Sequence, residues 1–175
     1  SECGGDPTKA TEWLRQKGIA TAEKKSGRVA AEGAIGSYIH TGARVGVLVE
    51  VNCETDFVAR GEAFRKLAHE IALQVAAASP LYVKEEDIPE DVLENEADIA
   101  RKRSLEEGKP ENILDKIVEG RLRKYKEEVC LMNQKYIRDD SMTIQDLVME
   151  NVGSMGENII IRRFQRWELG EHLED

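Results

Sequence analysis

The residue types that perform covalent chemistry are present in this chain, but their spacing indicates no catalytic site. The three histidines are too scattered to compose a metal site. The three cysteines (Cys3, Cys53 and Cys130) are an odd number without C-x-x-C spacing, which predicts a reducing compartment and neither a disulfide framework nor a zinc site. The motifs G-x-x-x-x-G-K-[S/T], G-x-G-x-x-G, G-x-S-x-G and H-E-x-x-H are also missing. We therefore expect a protein that is not an enzyme and uses no cofactor and no metal.

The nine residues from Asn52 to Arg60 carry side chains that are suited to binding. Thr55 and Asp56 can accept hydrogen bonds from the free amides of a first helical turn, and Phe57 adds an aromatic ring. Phe57 lies seven residues before Phe64, so an unbroken helix places both rings on one buried face. Gly61 argues against an unbroken helix. Composition favours a core position for Phe57, and a contact with a partner stays open as the alternative.

This stretch must turn a strand into a helix. The β-branched run Val45–Val51 predicts a mostly buried strand before it. After it, apolar residues recur at helical spacing and predict an amphipathic helix: Phe64, Leu67, Ala68, Ile71, Ala72 and Val75. Corners of this type carry function more often than the middles of strands or helices do.

The remaining patterns predict an α+β fold with a small antiparallel sheet of about three strands packed with helices. A hairpin turns at Thr41–Gly42 between strands 34–40 and 44–51, and the third strand covers 158–169. Thr143 is the expected N-cap of a helix that ends at Gly153 and Gly156.

Helices are expected in two further regions. The first begins at Asp6–Pro7 and ends at Gly18, and a linker follows over 19–33 that is helical at most in part. The second region holds two long, charged helices, from 90 to 105 and from 110 past 129, joined by the break at Gly108–Pro110. This arrangement predicts an antiparallel helical hairpin.

Composition limits the choice of partners. The chain of 175 residues is 34% charged, above the roughly 25% of typical domains, and its net charge is −9. This charge disfavours general binding to a phosphate backbone. No apolar stretch approaches the roughly 20 residues of a membrane span, and we expect no secretory signal. Because the first residue is Ser1 and not Met, we expect that the terminus was processed or trimmed.

Local basic clusters leave RNA binding open as an alternative function. One cluster lies on the second long helix, from Arg121 to Lys126, and another on the last strand, from Arg162 to Arg166. Glutamates surround the first cluster, and i,i+4 ion pairs on a solvated helix face explain it without RNA. The bases of the linker 19–33 also suit either a solvated face or an acidic partner.

Several strings in order resemble elongation factor Ts, the guanine-nucleotide exchange factor of elongation factor Tu. They are EVNCETDFV from Glu50 to Val58, GSYIHTGARVG from Gly36 to Gly46, and MGENIIIRRF from Met155 to Phe164. The likeness is to the short form of bacterial or organellar type, which has one core unit. It implies that 1–18 is the last part of an N-terminal three-helix, ubiquitin-associated-type module and that 34–175 is the core domain, including the helical hairpin 90–129. The string TGAGMMDCKK of that module is not found here.

The resemblance also implies a mechanism. Thr55, Asp56, Phe57 and Val58 dock on the GTPase domain of elongation factor Tu, where Phe57 wedges near the switch region and disturbs the magnesium and phosphate contacts that hold GDP. His40, Met155 and Gly156 are the other implied contacts. The implied assembly is a homodimer in which one subunit offers Asp56–Phe57 and the other offers His40. The resemblance also implies a location in the cytoplasm, or in the stroma or matrix of an organelle such as a plastid. It implies no membrane association and no direct contact with nucleic acid.

Overall fold

The computed structural model of the protein describes residues 6–172, which form two compact units. One unit comprises residues 6–79 and 135–172, and the other comprises residues 80–134. In chain order the elements are α1 (Pro7–Lys25), β1 (Glu32–Ile39), β2 (Val45–Cys53), α2 (Asp56–Ala59), α3 (Glu62–Ala78), α4 (Glu90–Glu106), α5 (Glu111–Val129), β3 (Lys135–Tyr136), β4 (Asp139–Thr143), α6 (Ile144–Met155) and β5 (Ile160–Glu168). Short 3₁₀ turns cover Glu85–Asp87 and Leu131–Asn133. The predicted α+β class is confirmed.

The predicted three-stranded sheet is confirmed, in the order β1-β2-β5, with all pairs antiparallel and β2 in the centre. Val47, Val49 and Val51 alternate along β2 and are buried on the face that α3 covers. Gly36 in β1 allows α3 to lie close, because a Cβ there falls 2.7 Å from the carbonyl oxygen of Ala68. The stretch from Asn52 to Arg60 therefore begins at a strand end that is anchored in the core of this unit.

The predicted helix ends at Gly18 and Gly153 are wrong. α1 continues through Gly18 to Lys25, and α6 continues through Gly153 until Gly156, at φ 75°, ends it. The two glycines face each other where α1 packs on α6, and a Cβ on Gly153 falls 2.9 Å from the Cα of Gly18. Both glycines permit close packing of two helix backbones. Because glycine also commonly follows the end of a helix, the local sequence suggested helix ends at these two positions.

Within the predicted linker 19–33, the first part is helical, because α1 ends at Lys25. The last part enters β1, which begins at Glu32. The predicted start of α1 agrees with the structure, because the Asp6 carboxylate accepts a hydrogen bond from the Thr8 amide at 2.9 Å. The assignment of 1–18 to a ubiquitin-associated-type module stays a prediction. Its residues 1–5 lie outside the described part of the chain.

A second, two-stranded sheet of β3 and β4 had no clear signal in the sequence. Side chains of α3 hold it in place: the buried Gln74 amide donates to the Lys135 carbonyl at 3.1 Å and accepts from the Ile137 amide at 2.9 Å. Glu70 accepts a hydrogen bond from the Tyr136 hydroxyl at 2.6 Å. These contacts span more than 60 residues of sequence, so no local pattern reports them.

The unit 80–134 contains the two predicted long helices and the break between them. Ion pairs join the helices, from Arg101 to Asp115 at 2.8 Å and from Arg121 to Glu107 at 3.7 Å. Ala100, Ser104, Leu114 and Val118 are buried. The antiparallel direction of the hairpin and its assignment as a sub-element of the domain 34–175 stay predictions.

Candidate functional site

The corner after β2 is built around a very short helix. The Thr55 hydroxyl accepts a hydrogen bond from the Val58 amide at 3.4 Å and so caps α2, which has only four residues. Gly61 then starts α3 as a separate helix. Phe57 and Phe64 therefore lie on different helices. The helical spacing that would place both rings on one buried face does not continue between them.

This break decides the position of the ring of Phe57. Phe57 is 84% exposed, whereas Phe64 is 0% exposed. The core position that composition favoured for Phe57 is wrong, and its ring is free to contact a partner. Burial of such a ring on a partner is favourable, since a fully buried large apolar side chain contributes about 1.5–3 kcal/mol.

The neighbours of Phe57 divide into anchors and exposed groups. Ala59 is buried and Val58 is half-buried, so the inner side of α2 is held by packing. Asp56 lies on the outer side and pairs with Arg60 at 3.0 Å, with both side chains mostly exposed. Exposed pairs of this kind contribute about 0–1 kcal/mol, so little is lost when Asp56 takes a new hydrogen-bond donor.

Glu54 and Glu157, which were not predicted as site residues, join the corner to the turn after α6. The Glu157 carboxylate accepts hydrogen bonds from the Thr55 hydroxyl at 2.6 Å and from the amides of Glu54 and Thr55, both at 3.1 Å. In return, the Glu54 carboxylate accepts from the Asn158 amide at 2.7 Å. The Asn158 amide, and next the Arg28 guanidinium, hold the pKa of Glu54 below its ordinary value.

The same turn contains two of the predicted contact residues. Met155 is the half-buried last residue of α6, and Gly156 is exposed in a left-handed conformation directly before Glu157. The structure thus brings Met155 and Gly156 to the segment that bonds Thr55. The helix turn that carries Phe57 and the turn after α6 are therefore joined by hydrogen bonds between Thr55 and Glu157.

The end of α1 is attached to this arrangement as well. The Lys25 ammonium donates to the Gly156 carbonyl, and the Asn158 side chain donates to the Arg28 carbonyl at 2.8 Å. Arg28 also pairs with Glu54 at 3.5 Å. Lys25 and Arg28 therefore contact other residues of this chain. Neither a solvated face nor an acidic partner, the two interpretations of the linker bases, included these contacts.

His40 lies at the other end of the sheet. It follows β1, is exposed, and its Nδ1 lies 3.0 Å from the Tyr38 hydroxyl. Its amide bonds the Val45 carbonyl at the start of β2, whereas the corner follows Cys53 at the end of that strand. Eight residue steps along a strand span about 26 Å. One chain does not bring His40 and Phe57 together.

The described residues offer little for covalent chemistry. Burial raises the pKa of the Cys130 thiol to about 11 and also raises the pKa of the Cys53 thiol. Within residues 6–172, no group of three or more His, Cys, Asp or Glu side chains is arranged to hold a metal ion. Across the same residues, every helix is too short or too polar to cross a membrane.

Most bases of the two clusters that left RNA binding open are engaged in ion pairs. In the first cluster, Arg121 pairs with Glu107, Lys124 with Glu128, and Lys126 with Glu85 of the 3₁₀ turn. On β5, Arg162 and Arg163 both pair with Glu50. Nothing in these contacts favours a ribosome-associated RNA-binding function.

Comparison with known proteins identifies the family. The family model described as elongation factor TS matches residues 20–171 of this chain. The chain belongs to the elongation factor Ts family. It is 56% identical over 173 residues to elongation factor Ts of Caldanaerobacter subterraneus subsp. tengcongensis, covering 99% of this chain and 86% of that protein.

Other elongation factor Ts proteins show similar likeness. Identity is 54% with the protein of Geobacter metallireducens, covering 99% of this chain and 80% of the relative. It is 59% with the protein of Gloeothece citriformis, covering 99% of this chain and 61% of the relative. Membership of the elongation factor Ts family supports the predicted role in guanine-nucleotide exchange on elongation factor Tu, and nothing in the comparisons favours the RNA-binding alternative.

Proposed function

We propose that this chain promotes release of GDP from elongation factor Tu by inserting the Phe57 corner against the GTPase domain. The observation that carries the proposal is the exposed ring of Phe57 on a corner whose other side is held by packing and hydrogen bonds. A large apolar ring on a rigid support loses little conformational freedom on binding. Family membership supports the identity of the partner.

Each contact residue has a distinct task in this mechanism. Phe57 wedges between side chains near the switch region, and Asp56 holds the approach by hydrogen bonding. Thr55 and Val58 fix the helix turn that carries them, while Met155 and Gly156 extend the contact. The displaced switch region loses magnesium and phosphate contacts that retain GDP. No residue of this chain makes or breaks a covalent bond, so the protein is not an enzyme in that sense.

The mechanism requires differential affinity. This chain must bind nucleotide-free elongation factor Tu more tightly than the GDP-bound form, because equal affinity shifts no equilibrium. Linkage then requires that GDP weakens binding of this chain by the same factor. A coupling of about 1–3 kcal/mol corresponds to roughly 5–150-fold.

The proposed active assembly is a homodimer. Because about 26 Å of β2 separates His40 from the corner, one chain does not easily offer both to one site. The sheet face opposite α3 carries exposed apolar side chains that a second copy can cover: Ile35, Ile39, Leu48 and Trp167. Sedimentation at micromolar concentration tests this point, and a single species of 19.6 kDa rejects the homodimer.

We also propose the cytoplasm, or the stroma or matrix of an organelle, as the compartment. The buried, free thiols of Cys53 and Cys130 suit a reducing environment. Direct contact with nucleic acid is not part of the proposal, in keeping with the net charge of −9.

Release of labelled GDP from purified elongation factor Tu tests the proposed function. Wild-type chain accelerates the release, and Phe57→Ala loses most of this acceleration while its circular dichroism spectrum stays unchanged. Ile137→Ala, which truncates another exposed apolar side chain of the same unit, is the matched control and retains it. Unchanged acceleration by Phe57→Ala removes the ring from the mechanism.

A further inference from the structure

We propose that Glu157 is a positioning residue for nucleotide exchange, acting through the orientation of the Phe57 corner. The inference rests on the proposed function, since it assigns a task within that site. Glu157 itself lies outside the predicted contact residues, and its carboxylate is directed into its own chain, where it bonds Glu54 and Thr55.

Thr55 is held by Glu157 through a side-chain hydrogen bond. Its hydroxyl donates to Glu157 Oε1 at 2.6 Å, a length typical of a charge-assisted O–H···O⁻ bond. With its proton committed to Glu157, the hydroxyl oxygen directs lone pairs elsewhere, and the Val58 amide donates to it at 3.4 Å. Glu157 therefore sets the rotamer of the residue that caps α2.

The backbone before α2 is held by Glu157 as well. Amides that precede a helix have no partner within that helix. Glu157 Oε2 accepts hydrogen bonds from the backbone amides of Glu54 and Thr55, so one carboxylate oxygen serves two successive amide donors. A helix of four residues has little stability of its own. The direction in which Phe57 projects is thus set by these external bonds.

The connection between the corner and the turn after α6 runs in both directions. The Glu54 carboxylate accepts from the Asn158 amide, so the corner and the turn after α6 hold each other. Arg28 pairs with the same Glu54 carboxylate at 3.5 Å and helps to hold it in place. Phe57 and the Met155–Gly156 pair are therefore presented in a fixed relation, and binding need not pay the entropy of arranging them.

Three variants of the full chain test the proposal in the GDP-release assay. Glu157→Ala removes all three bonds to the corner, and we expect roughly tenfold less acceleration, because bonds to charged groups are the strong ones. Glu157→Gln keeps one carbonyl oxygen for the two amides and retains most of the acceleration. Glu150→Ala removes an exposed carboxylate of α6 and changes nothing.

A partner-independent measurement separates this inference from the proposed function. In the free chain, hydrogen exchange of the Thr55 and Val58 amides becomes at least roughly tenfold faster in Glu157→Ala, but not in Glu150→Ala. Unchanged amide exchange overturns the proposal, and so does full acceleration by Glu157→Ala. If Phe57→Ala leaves GDP release unaffected while Glu157→Ala slows it, Glu157 does not act through the ring, and this also overturns the proposal. Failure of the proposed function itself is recognised by a wild-type chain that does not accelerate GDP release.

Discussion

Substitution of Gly153 by alanine tests the close contact between α1 and α6. The added Cβ falls 2.9 Å from the Cα of Gly18, and the opposing atom is helix backbone that has no other rotamer to adopt. Overpacking of this kind costs about 1–3 kcal/mol. The better helix propensity of alanine offsets roughly 0.5–1 kcal/mol of that cost. We expect a net destabilisation of about 1 kcal/mol.

The same substitution at Gly18 has the opposite expected sign and is the matched control. A Cβ on Gly18 meets the Met149 carbonyl oxygen at 3.6 Å and the Glu150 Cα at 3.7 Å, which are ordinary contacts. Gly18 lies inside α1, so helix propensity dominates. We expect Gly18→Ala to stabilise the unit by up to about 1 kcal/mol.

Urea unfolding measures both effects, followed by tryptophan fluorescence. The two tryptophans, Trp13 and Trp167, lie in the unit that contains α1 and α6, so their signal reports its unfolding. With a slope of about 1–3 kcal/mol per molar urea, a change of 1 kcal/mol shifts the midpoint by roughly 0.3–1 M. Equal shifts of the same sign in Gly153→Ala and Gly18→Ala would refute the proposed packing.

Three further predictions follow from burial and charge. Phe64→Ala should cost about 3–5 kcal/mol in urea unfolding, whereas Phe57→Ala, at an exposed ring, should cost less than about 0.5 kcal/mol; similar losses contradict the assigned burial. The lowered pKa of Glu54 means that its bonds contribute fully above the ordinary pKa of 4.5 and are lost as the pH falls through its folded-state pKa. The stability difference between wild type and Glu54→Gln should therefore shrink in acid, and a constant difference from pH 7 to acid contradicts it. Arg123→Glu with Lys124→Glu should leave GDP release nearly unchanged, since Lys124 already pairs with Glu128 and the neighbouring Arg121 with Glu107; a large loss indicates a contact surface there.

Local signals in the sequence predicted most of the elements. The β-branched run of β2 and the helical spacing from Phe64 to Val75 indicate their structures because each element buries one face with a fixed period. The N-cap at Thr143 is also local, since its hydroxyl and the Asp146 carboxylate bond each other's amides within one turn. The resemblance of the family strings then implied the partner and the proposed contact residues.

Glycine signals were ambiguous, since one residue type serves several purposes. Gly61 and Gly156 do mark helix boundaries, whereas Gly18 and Gly153 lie inside helices and face each other across a tight contact. Local sequence reports that a glycine is present. Only the packing partner decides whether its missing side chain serves a turn or a neighbouring backbone.

The sequence by itself determined the strand before the corner, the helical pattern after it and the chemical character of the corner between them. Tertiary structure alone decided that the ring of Phe57 lies outside while that of Phe64 lies inside. It also decided that Glu157, more than 100 residues away, bonds Thr55. Period and propensity act over a few residues, but exposure and long-range hydrogen bonds depend on which surfaces the sheet and its helices bring together.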